Sequence, residues 1–378
     1  MKVSPEILEL VPYKPGKPIG ETQREYGLTE VIKLGSNENN LGVSPKVIQA
    51  VTEALTQQFR YPDPTCYQLI QTLTELWQIP SSHLGIGNGS NELIDLLVRI
   101  FCAPGDAILT HDKAFLAYQI CAQAARVQTL VAPFKKESPQ NFQVDLPAMA
   151  QILRDDLSHR IKLIFLPNPN NPTGSILPPA DLRVFLAEFG HDSERLIVFD
   201  EAYTEYVRSP EYVSALQLRQ EFSNIVVLRT LSKAYGLAGF RIGILVASPQ
   251  VIDYFNRVRN PFNVNDLAQV AAIAALQDKE FLRASVEMVW SGLDYLSPKL
   301  AELGLQVTPS EGNFVLFETH RDLQKLYPAL LRRGVILRPV GNYGLPTHLR
   351  MSVGKPLENQ KAIAALSQVL QEIPSGGV

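Results

Sequence analysis

Residues 196–203 read LIVFDEAY, four apolar residues followed at once by two carboxylates, an alanine and a tyrosine. Such a short apolar run is typical of a strand that is buried on both faces of a sheet. Similar runs recur along the chain, and they are DAILT (106–110), VQTLVA (127–132), KLIFL (162–166), IVVLRT (225–230) and IGILVA (242–247). Because helical patterns lie between most of them, the sequence predicts an α/β fold with a mostly parallel central sheet covered by helices on both faces.

The pattern changes after about residue 265. Two long helical patterns come first, followed by strands and helices in turn; they are 266–277 and 279–303, NFVLFET (313–319), a helix, THLRMSV (347–353) and a C-terminal helix. This order predicts a second, smaller α+β domain. The Pro- and Gly-rich N-terminal segment is expected to pack beside it. The predicted division is a large domain at 31–265 and a small domain made of 1–30 and 266–378.

Composition and charge narrow the class of protein. The 378 residues are 46% hydrophobic and 19% charged, as in ordinary folded globular proteins. A net charge of −3, without a cluster of Lys and Arg, argues against a nucleic-acid partner. No apolar run approaches the ~18 residues that a membrane span needs, and no signal peptide is evident. The three cysteines lack C-x-x-C spacing and predict free thiols in the cytoplasm, and the histidines show no metal-ligand spacing.

Five predicted strands end in polar or glycine-rich segments. These segments are GNGSNE (87–92), THDKAF (110–115), PNPNNPTG (167–174), DEAY (200–203) and TLSK (230–233). In an open parallel sheet, ligands bind beyond the carboxyl ends of the strands. The sequence therefore predicts that all five segments meet at one site.

The first of these segments predicts a phosphate site. Residues 89–91 would open a helix, where free backbone N–H groups and the helix dipole favour an anion. Arg241 and the hydroxyls of Thr230 and Ser232 offer a matching cation and hydrogen-bond donors. The alternative is a plain strand-to-helix turn in which Ser90 is only the N-cap.

Lys233 and Asp200 each end an apolar strand, where a charged group is costly to desolvate. A desolvated lysine loses its proton more easily and becomes a nucleophile towards a carbonyl group, although a lysine at a strand end can also extend to solvent. The Asp200 carboxylate would face a cationic ring nitrogen, or else cap the next turn. Tyr203 and the amide of Asn171, in a loop constrained by three prolines, would donate to the same ligand; a cis Asn171–Pro172 bond is a further expectation. Together with the phosphate site, these groups predict pyridoxal phosphate (PLP) as the cofactor.

NPNNPTG, DEAY and TLSKAYGLAGFR together resemble the fold-type-I PLP-dependent aminotransferases over nearly the whole chain. Within that group the sequence is most similar to the histidinol-phosphate aminotransferases. The supporting segments are VPYKP (11–15), LGSNENN (34–40), FRYPDP (59–64), NRVRNPFNV (256–264), EGNFVLF (311–317) and HLRMSVG (348–354). The resemblance implies transamination of histidinol phosphate with 2-oxoglutarate, giving imidazole acetol phosphate and glutamate in histidine biosynthesis.

The resemblance also implies a role for individual residues. Lys233 would form the Schiff base with PLP and move the substrate proton, and Asp200 would keep the pyridine nitrogen protonated. Asn171 and Tyr203 would bind the ring oxygen O3′. The remaining cofactor contacts are the ring-stacking Phe115, the phosphate-binding Ser90, Asn91, Thr230, Ser232 and Arg241, and Tyr61 from the neighbouring subunit. The family usually has tyrosine in place of Phe115, and G-A-D-E in place of residues 89–92.

For the substrate, the resemblance implies that Arg338 and Arg350 bind its anionic group and that Tyr13 and Asn171 contact it. Arg338 could instead be a surface arginine at a strand end, and Tyr13 could simply pack in the N-terminal arm. Since Tyr61 would reach into the neighbouring subunit's site, the resemblance also implies a homodimer.

Other functions remain open at this stage. An aromatic amino acid aminotransferase and a threonine-phosphate decarboxylase are close relatives of the same type. A nicotinamide-dependent oxidoreductase is weighed because Gly85, Gly87 and Ser90, followed by Asp106 and Asp112, loosely resemble a dinucleotide-binding pattern. That interpretation leaves Lys233 unexplained. A non-catalytic PLP sensor is the third alternative.

Overall fold

The structure is a computed structural model that describes residues 2–135 and 142–374. Its helices are α1 Pro5–Glu9, α2 Ile19–Tyr26, α3 Pro45–Ala54, α4 Tyr67–Trp77, α5 Ser90–Phe101, α6 Ala117–Ala124, α7 Leu146–Asp155, α8 Pro179–Phe189, α9 Ala215–Leu218, α10 Pro249–Val258, α11 Asp266–Gln277, α12 Lys279–Glu302, α13 Leu323–Arg332 and α14 Pro356–Glu372. Its strands are β1 Ile32–Lys33, β2 Leu84–Asn88, β3 Ala107–His111, β4 Gln128–Ala132, β5 Ile161–Pro167, β6 Leu196–Asp200, β7 Ile225–Thr230, β8 Ile242–Val246, β9 Gln306–Thr308, β10 Phe314–Glu318, β11 Val335–Ile336, β12 Arg338–Pro339 and β13 His348–Ser352.

The central sheet has seven strands in the order β2-β8-β7-β6-β5-β3-β4. The pairs from β7 through β4 are parallel, and β8 is antiparallel to both β7 and β2. Because β8 reverses the direction twice, β2 points the same way as β7. The carboxyl ends of the other strands therefore lie at one edge of the sheet, where β8 begins. The mostly parallel sheet predicted from the sequence is confirmed.

Successive residues of the central strands point to opposite faces, and both faces are buried. Phe165 and Val198 pack against α5, α6 and α10 on one side. Their neighbours Ile164 and Phe199 belong to the larger cluster on the other side, which includes residues of α7, α8 and α11. This alternation with apolar residues on both faces is why the strands read as continuous apolar runs.

The C-terminal part contains a second sheet, which is antiparallel in the order β12-β13-β10-β9. Its strands β10 and β13 are the two that the sequence predicts after residue 265. A short parallel pair, β1 with β11, joins residues 32–33 to this part of the chain. The division into two domains remains a prediction, and this pairing shows that its boundary at residue 31 lies beside a strand shared with the C-terminal part.

Helix starts follow local chemistry. Helix α3 begins at Pro45, and the hydroxyl of its N-cap Ser44 accepts a hydrogen bond from the Lys46 backbone N–H. None of the helices in residues 2–135 and 142–374 combines the length and apolar character needed to cross a membrane. Within the same residues, no group of three or more His, Cys, Asp and Glu side chains is arranged to hold a metal ion.

Candidate active site

A cavity of about 250 Å³ lies at the edge of the central sheet where the parallel strands end. It is lined by nearly all of the residues predicted for the site, which are Tyr13, Ser90, Asn91, Phe115, Asn171, Asp200, Tyr203, Thr230, Ser232, Lys233, Arg241, Arg338 and Arg350. The five polar segments are thus brought together as predicted, because β2, β3, β5, β6 and β7 all end at this edge. Tyr61 is the exception and does not line the cavity.

Lys233 lies on the loop after β7, half-buried in the cavity wall. The pKa of its amine is lowered to about 8, chiefly by burial; the positive charges of Arg350 and Arg241 act in the same direction, and the negative charges of Glu38 and Asp200 oppose them. Its Nζ atom is 5.7 Å from the centre of the Tyr203 ring. A substantial fraction of the amine is therefore neutral near physiological pH, as a nucleophile towards a carbonyl group requires.

Asp200 ends β6 and is buried at the bottom of the cavity. The Tyr118 hydroxyl donates to its Oδ2 atom at 2.8 Å, and the Ala202 backbone N–H donates to Oδ1 at 3.2 Å. Burial raises the pKa of this carboxyl group, while the hydrogen bond from Tyr118 opposes the increase. In the described part of the chain no Lys, Arg or His forms an ion pair with it. The carboxylate thus suits a ligand that brings its own cationic nitrogen.

Tyr118 is a site residue that the sequence analysis missed. It is fully buried on α6, and its ring stacks on Phe165 with the ring centres 4.6 Å apart. Its ring also meets the Phe115 ring edge-on, with ring centres 5.9 Å apart. A tyrosine inside an apolar helix was the available signal, because a buried phenol hydroxyl usually has a polar partner.

The turn between β2 and α5 forms an anion-binding cradle. Gly89 is the N-cap of α5 with a φ of +77°, and Ser90 is the first helical residue, so the alternative in which Ser90 caps the helix is wrong. Arg241 directly precedes β8, and a Cβ atom on Gly89 would lie 2.4 Å from its guanidinium group. On β8, a Cβ on Gly243 would lie 2.5 Å from the Gly89 carbonyl carbon. The two glycines therefore let a helix N-terminus and an arginine approach the same place.

Thr230 and Ser232 extend this cradle at the end of β7, and both are buried except where they face the cavity. The Thr230 hydroxyl donates to Ser232 Oγ at 3.0 Å or to the Ile242 carbonyl oxygen at 3.1 Å, and its oxygen accepts from the Ser232 backbone N–H at 3.2 Å. Thr230 thus orients Ser232, and the Ser232 hydroxyl, the Arg241 guanidinium group and the helix N-terminus are the donors that phosphate oxygens require.

Arg350, on β13, reaches the cavity from the C-terminal part. It is buried and donates hydrogen bonds to Asn171 Oδ1 and, at 3.0 Å, to the Gly35 carbonyl oxygen. The Asn171 oxygen is thereby occupied, which leaves its Nδ2 group to donate to a ligand as predicted. The expected cis bond at Asn171–Pro172 is present, and Asn168–Pro169 is cis as well.

Arg338 and Tyr13 form the entrance to the cavity. Arg338 donates to the Lys14 carbonyl oxygen at 2.6 Å, and its guanidinium carbon is 5.8 Å from the centre of the Tyr13 ring. The Tyr13 ring meets Phe115 edge-on, with ring centres 6.4 Å apart. Both residues line the cavity, Arg338 from β12 and Tyr13 from the N-terminal arm.

Tyr61 lies away from the cavity and is 82% exposed. It stacks on Phe262, with ring centres 4.7 Å apart. Within a single chain it contacts none of the other predicted site residues. Its predicted contact with the cofactor therefore depends on a second subunit.

A second missed residue is Asn37, in the segment LGSNENN. It is buried, and its Nδ2 group donates to the Tyr203 hydroxyl oxygen at 3.0 Å. Nothing in the local sequence pattern places residue 37 next to residue 203. The only available signal was its presence in a segment that resembles the family.

The amine of lowered pKa, the buried carboxylate and the anion cradle define a site suited to an aldehyde-bearing heteroaromatic phosphate. The chain belongs to the class I and II aminotransferase family, whose model matches residues 29–366. Among its relatives, the histidinol-phosphate aminotransferase of Bdellovibrio bacteriovorus is 55% identical over 373 residues, covering 99% of each chain. The histidinol-phosphate aminotransferase of an Anaeromyxobacter species is 45% identical over 369 residues, covering 97% of this chain and 99% of the relative.

The fold agrees with solved structures. The crystal structure of histidinol-phosphate aminotransferase from Sinorhizobium meliloti in complex with pyridoxal-5′-phosphate superimposes with a TM-score of 0.87. That protein is 25% identical, and the match covers 98% of each chain. The predicted fold-type-I architecture is confirmed.

Gly89 provides a direct test of the anion cradle, with PLP as the probe. We expect Gly89→Ala to raise the dissociation constant of PLP about tenfold or more, since the added methyl group displaces Arg241 and weakens a charge-assisted hydrogen bond. Absorbance titration of the apoprotein measures this constant. Gly239→Ala is the matched control, because a Cβ at Gly239 meets no atom within 4 Å. Equal PLP affinity in the two variants would contradict the assignment.

Proposed function

We propose that this chain is a PLP-dependent aminotransferase that transfers the amino group of histidinol phosphate to 2-oxoglutarate. The products are imidazole acetol phosphate and glutamate, a step of histidine biosynthesis. The observation that carries the proposal is the meeting of Lys233, Asp200 and the anion cradle around one cavity. The full-length similarity to histidinol-phosphate aminotransferases supports the choice of substrate.

The cavity residues fit PLP, which supplies an aldehyde that condenses with amines and a ring that accepts electron density. Lys233 would hold the aldehyde carbon, and once the substrate amine has replaced it, its neutral amine would be the base that removes the substrate's α proton. Asp200 would hold a proton on the ring nitrogen. Residues 89–91, with Thr230, Ser232 and Arg241, would hold the phosphate, and Phe115 would pack against the ring.

Arg338 and Arg350 are suited to bind the substrate's anionic group. In one half-reaction that group is a phosphate ester, and in the other it is a carboxylate, and a guanidinium group pairs with both. Arg350 is fixed by its bonds to Asn171 and Gly35. Arg338 lies at the entrance, held by the N-terminal arm. With Arg350 fixed and Arg338 at the entrance, the pair can bind anions of two sizes.

The nicotinamide alternative fails on the positions of its glycines. Gly85 and Gly87 lie inside β2 and not in the turn after it. A Cβ atom on Gly85 would lie 3.0 Å from the Phe255 ring, and one on Gly87 would lie 2.6 Å from Leu93. These glycines thus permit helices to pack on the strand and do not approach a phosphate.

We further propose that the protein is a homodimer and acts in the cytoplasm. Phe59, Tyr61 and Tyr67 are 74%, 82% and 63% exposed, and such aromatic side chains on one short segment suit a protein interface. In such a dimer, the Tyr61 side chain of each subunit would reach the cavity of the other subunit. The free cysteines, which are Cys66, Cys102 and Cys121, support a reducing compartment.

Lys233 gives the first test of the proposed chemistry. The rate at which the apoprotein takes up PLP should rise with pH, be half-maximal near pH 8 and level off at higher pH, because only the unprotonated amine attacks an aldehyde. Stopped-flow absorbance measures this rate. Lys233→Ala should abolish both turnover and the borohydride-trapped pyridoxyl peptide, whereas Lys325→Ala, at an exposed site, should change neither. A half-maximal rate near pH 10.5, the ordinary lysine value, would contradict the assigned pKa.

Substrate choice is tested with a panel of amino donors. We expect kcat/KM to be highest for histidinol phosphate, and Arg338→Gln to lower it by about ten- to a hundredfold, the effect of losing one charge-assisted hydrogen bond. The exposed Arg332→Gln is the control. Turnover of tyrosine and phenylalanine without histidinol phosphate would replace this proposal by an aromatic aminotransferase. Release of CO₂ from threonine phosphate would replace it by a decarboxylase.

The homodimer is tested by sedimentation. The wild type should sediment as a dimer, and the double variant Phe59→Ser/Tyr61→Ser should dissociate at micromolar concentration because it removes two large apolar contacts. Val184→Ser, which changes a 70% exposed apolar residue on α8, should leave the dimer intact. A monomeric wild type would refute the assembly without affecting the assignment of the cofactor.

A further inference from the structure

A chain of three buried polar side chains connects the C-terminal part to the cavity. Ser352 lies at the end of β13, Asn37 lies in the segment after β1, and Tyr203 follows β6. The Ser352 hydroxyl donates to Asn37 Oδ1 at 3.2 Å, and Asn37 Nδ2 donates to the Tyr203 hydroxyl oxygen at 3.0 Å. Residues far apart in sequence thus form one hydrogen-bonded chain that ends at a cavity residue.

The backbone around Asn37 fixes the direction of this chain. The Asn37 N–H donates to the Ser352 hydroxyl oxygen at 2.8 Å, so that oxygen already accepts one bond and its single hydrogen is free to donate. That hydrogen goes to Asn37 Oδ1. The opposite amide orientation would place two donors on the Ser352 oxygen and leave the hydroxyl hydrogen without this acceptor. Asn313 Nδ2 also donates to the Asn37 carbonyl oxygen at 3.1 Å, which holds the residue at its φ of +54°.

This arrangement determines the hydrogen bonds of the Tyr203 hydroxyl. Its oxygen accepts a hydrogen bond from Asn37, and burial raises the pKa of the phenol, so the hydroxyl keeps its hydrogen. Within residues 2–135 and 142–374 no side chain or backbone oxygen accepts that hydrogen. The Tyr203 ring is fixed edge-on against Phe314, with ring centres 5.2 Å apart. The hydroxyl is therefore available to donate to a ligand in the cavity that Tyr203 lines.

We propose that Asn37 is a positioning residue that keeps Tyr203 a hydrogen-bond donor to the cofactor, with its amide orientation set by Ser352. This inference rests on the proposed function, since the acceptor is the ring oxygen of PLP. Arg350 and Ser352 are two residues apart on β13 and share one face of that strand. The strand that presents the substrate-binding guanidinium group thus also holds the residue that orients the cofactor's donor.

Asn37→Asp is the decisive substitution, because it keeps the shape of the side chain but replaces the amide donor with an acceptor. The Tyr203 hydrogen should then turn to residue 37, and the PLP ring oxygen should lose its donor. A donor stabilises negative charge on that oxygen, so its loss should raise the pH midpoint of the bound cofactor's visible absorbance by about one unit. Tyr203→Phe should cause a similar rise.

A double-variant cycle separates this effect from simple charge. The charged and titratable groups that face Tyr203 in the described residues are Asp200, Lys233, Arg350, Tyr118, Tyr206 and Tyr343, and the variants leave all six in place. In the Tyr203→Phe background, Asn37→Asp should produce little further shift. An equal shift in both backgrounds would mean that the new carboxylate acts only through its charge, and it would overturn the proposal.

Two further variants complete the experiment. Ser352→Ala removes the group that orients the amide and should shift the midpoint in the same direction by a smaller amount, which tests the proposal even if Asn37→Asp does not fold. Asn359→Asp is the matched control, because Asn359 is also buried but its side chain hydrogen-bonds to the backbone of Gly354, away from Tyr203. An unchanged midpoint in both Asn37→Asp and Ser352→Ala would refute the role of Asn37. A wild-type protein that is not trapped by borohydride would instead refute the proposed function.

Discussion

Desolvation at the carboxyl edge of the central sheet is the constraint on which this site depends. The same burial that lowers the pKa of the Lys233 amine raises the pKa of the Asp200 carboxyl group. In water the two groups would simply be an ammonium and a carboxylate. Here the amine is partly neutral, and the carboxylate has hydrogen bonds from Tyr118 and Ala202 but no ion-pair partner among the described residues. A ligand that offers both a carbonyl carbon and a cationic nitrogen satisfies both groups at once.

The antiparallel strand β8 is what completes the cradle. If β8 were parallel to its neighbours, the residue that precedes it would lie at the opposite edge of the sheet. Because β8 runs the other way, Arg241 arrives at the edge where β2 ends, and Asn88 pairs with Ile242. The close approach then requires Gly89 and Gly243, where any side chain would collide. The direction of β8 thus sets the position of the guanidinium group, and the two glycines leave the space that it needs.

The sequence predicted those features that depend on the residue pattern of a single strand or helix. Apolar runs predicted the strands, and the shared direction of parallel strands predicted that their polar ends would meet, as with Asp200 and Lys233. Contacts between distant segments could not be predicted in this way. The partners of Tyr118 and Asn37 depend on how α6 and the segment after β1 pack, and the pairing of β1 with β11 joins residues some 300 positions apart. Tyr61 illustrates a different limit, because its predicted contact requires a second subunit.

Under the proposed function, different parts of the chain would bind the cofactor and the substrate. The groups that suit PLP come from the ends of the seven-stranded sheet, whereas Arg338 and Arg350 come from the C-terminal sheet and Tyr13 comes from the N-terminal arm. The arm is held to Arg338 through the backbone oxygen of Lys14, a bond that does not depend on the side chain of residue 14. Substrate preference can therefore change with these peripheral residues while the cofactor site stays intact. The bond from Arg350 to Asn171 is a direct link between the two parts, because one amide side chain faces both the Arg350 guanidinium group and the interior of the cavity.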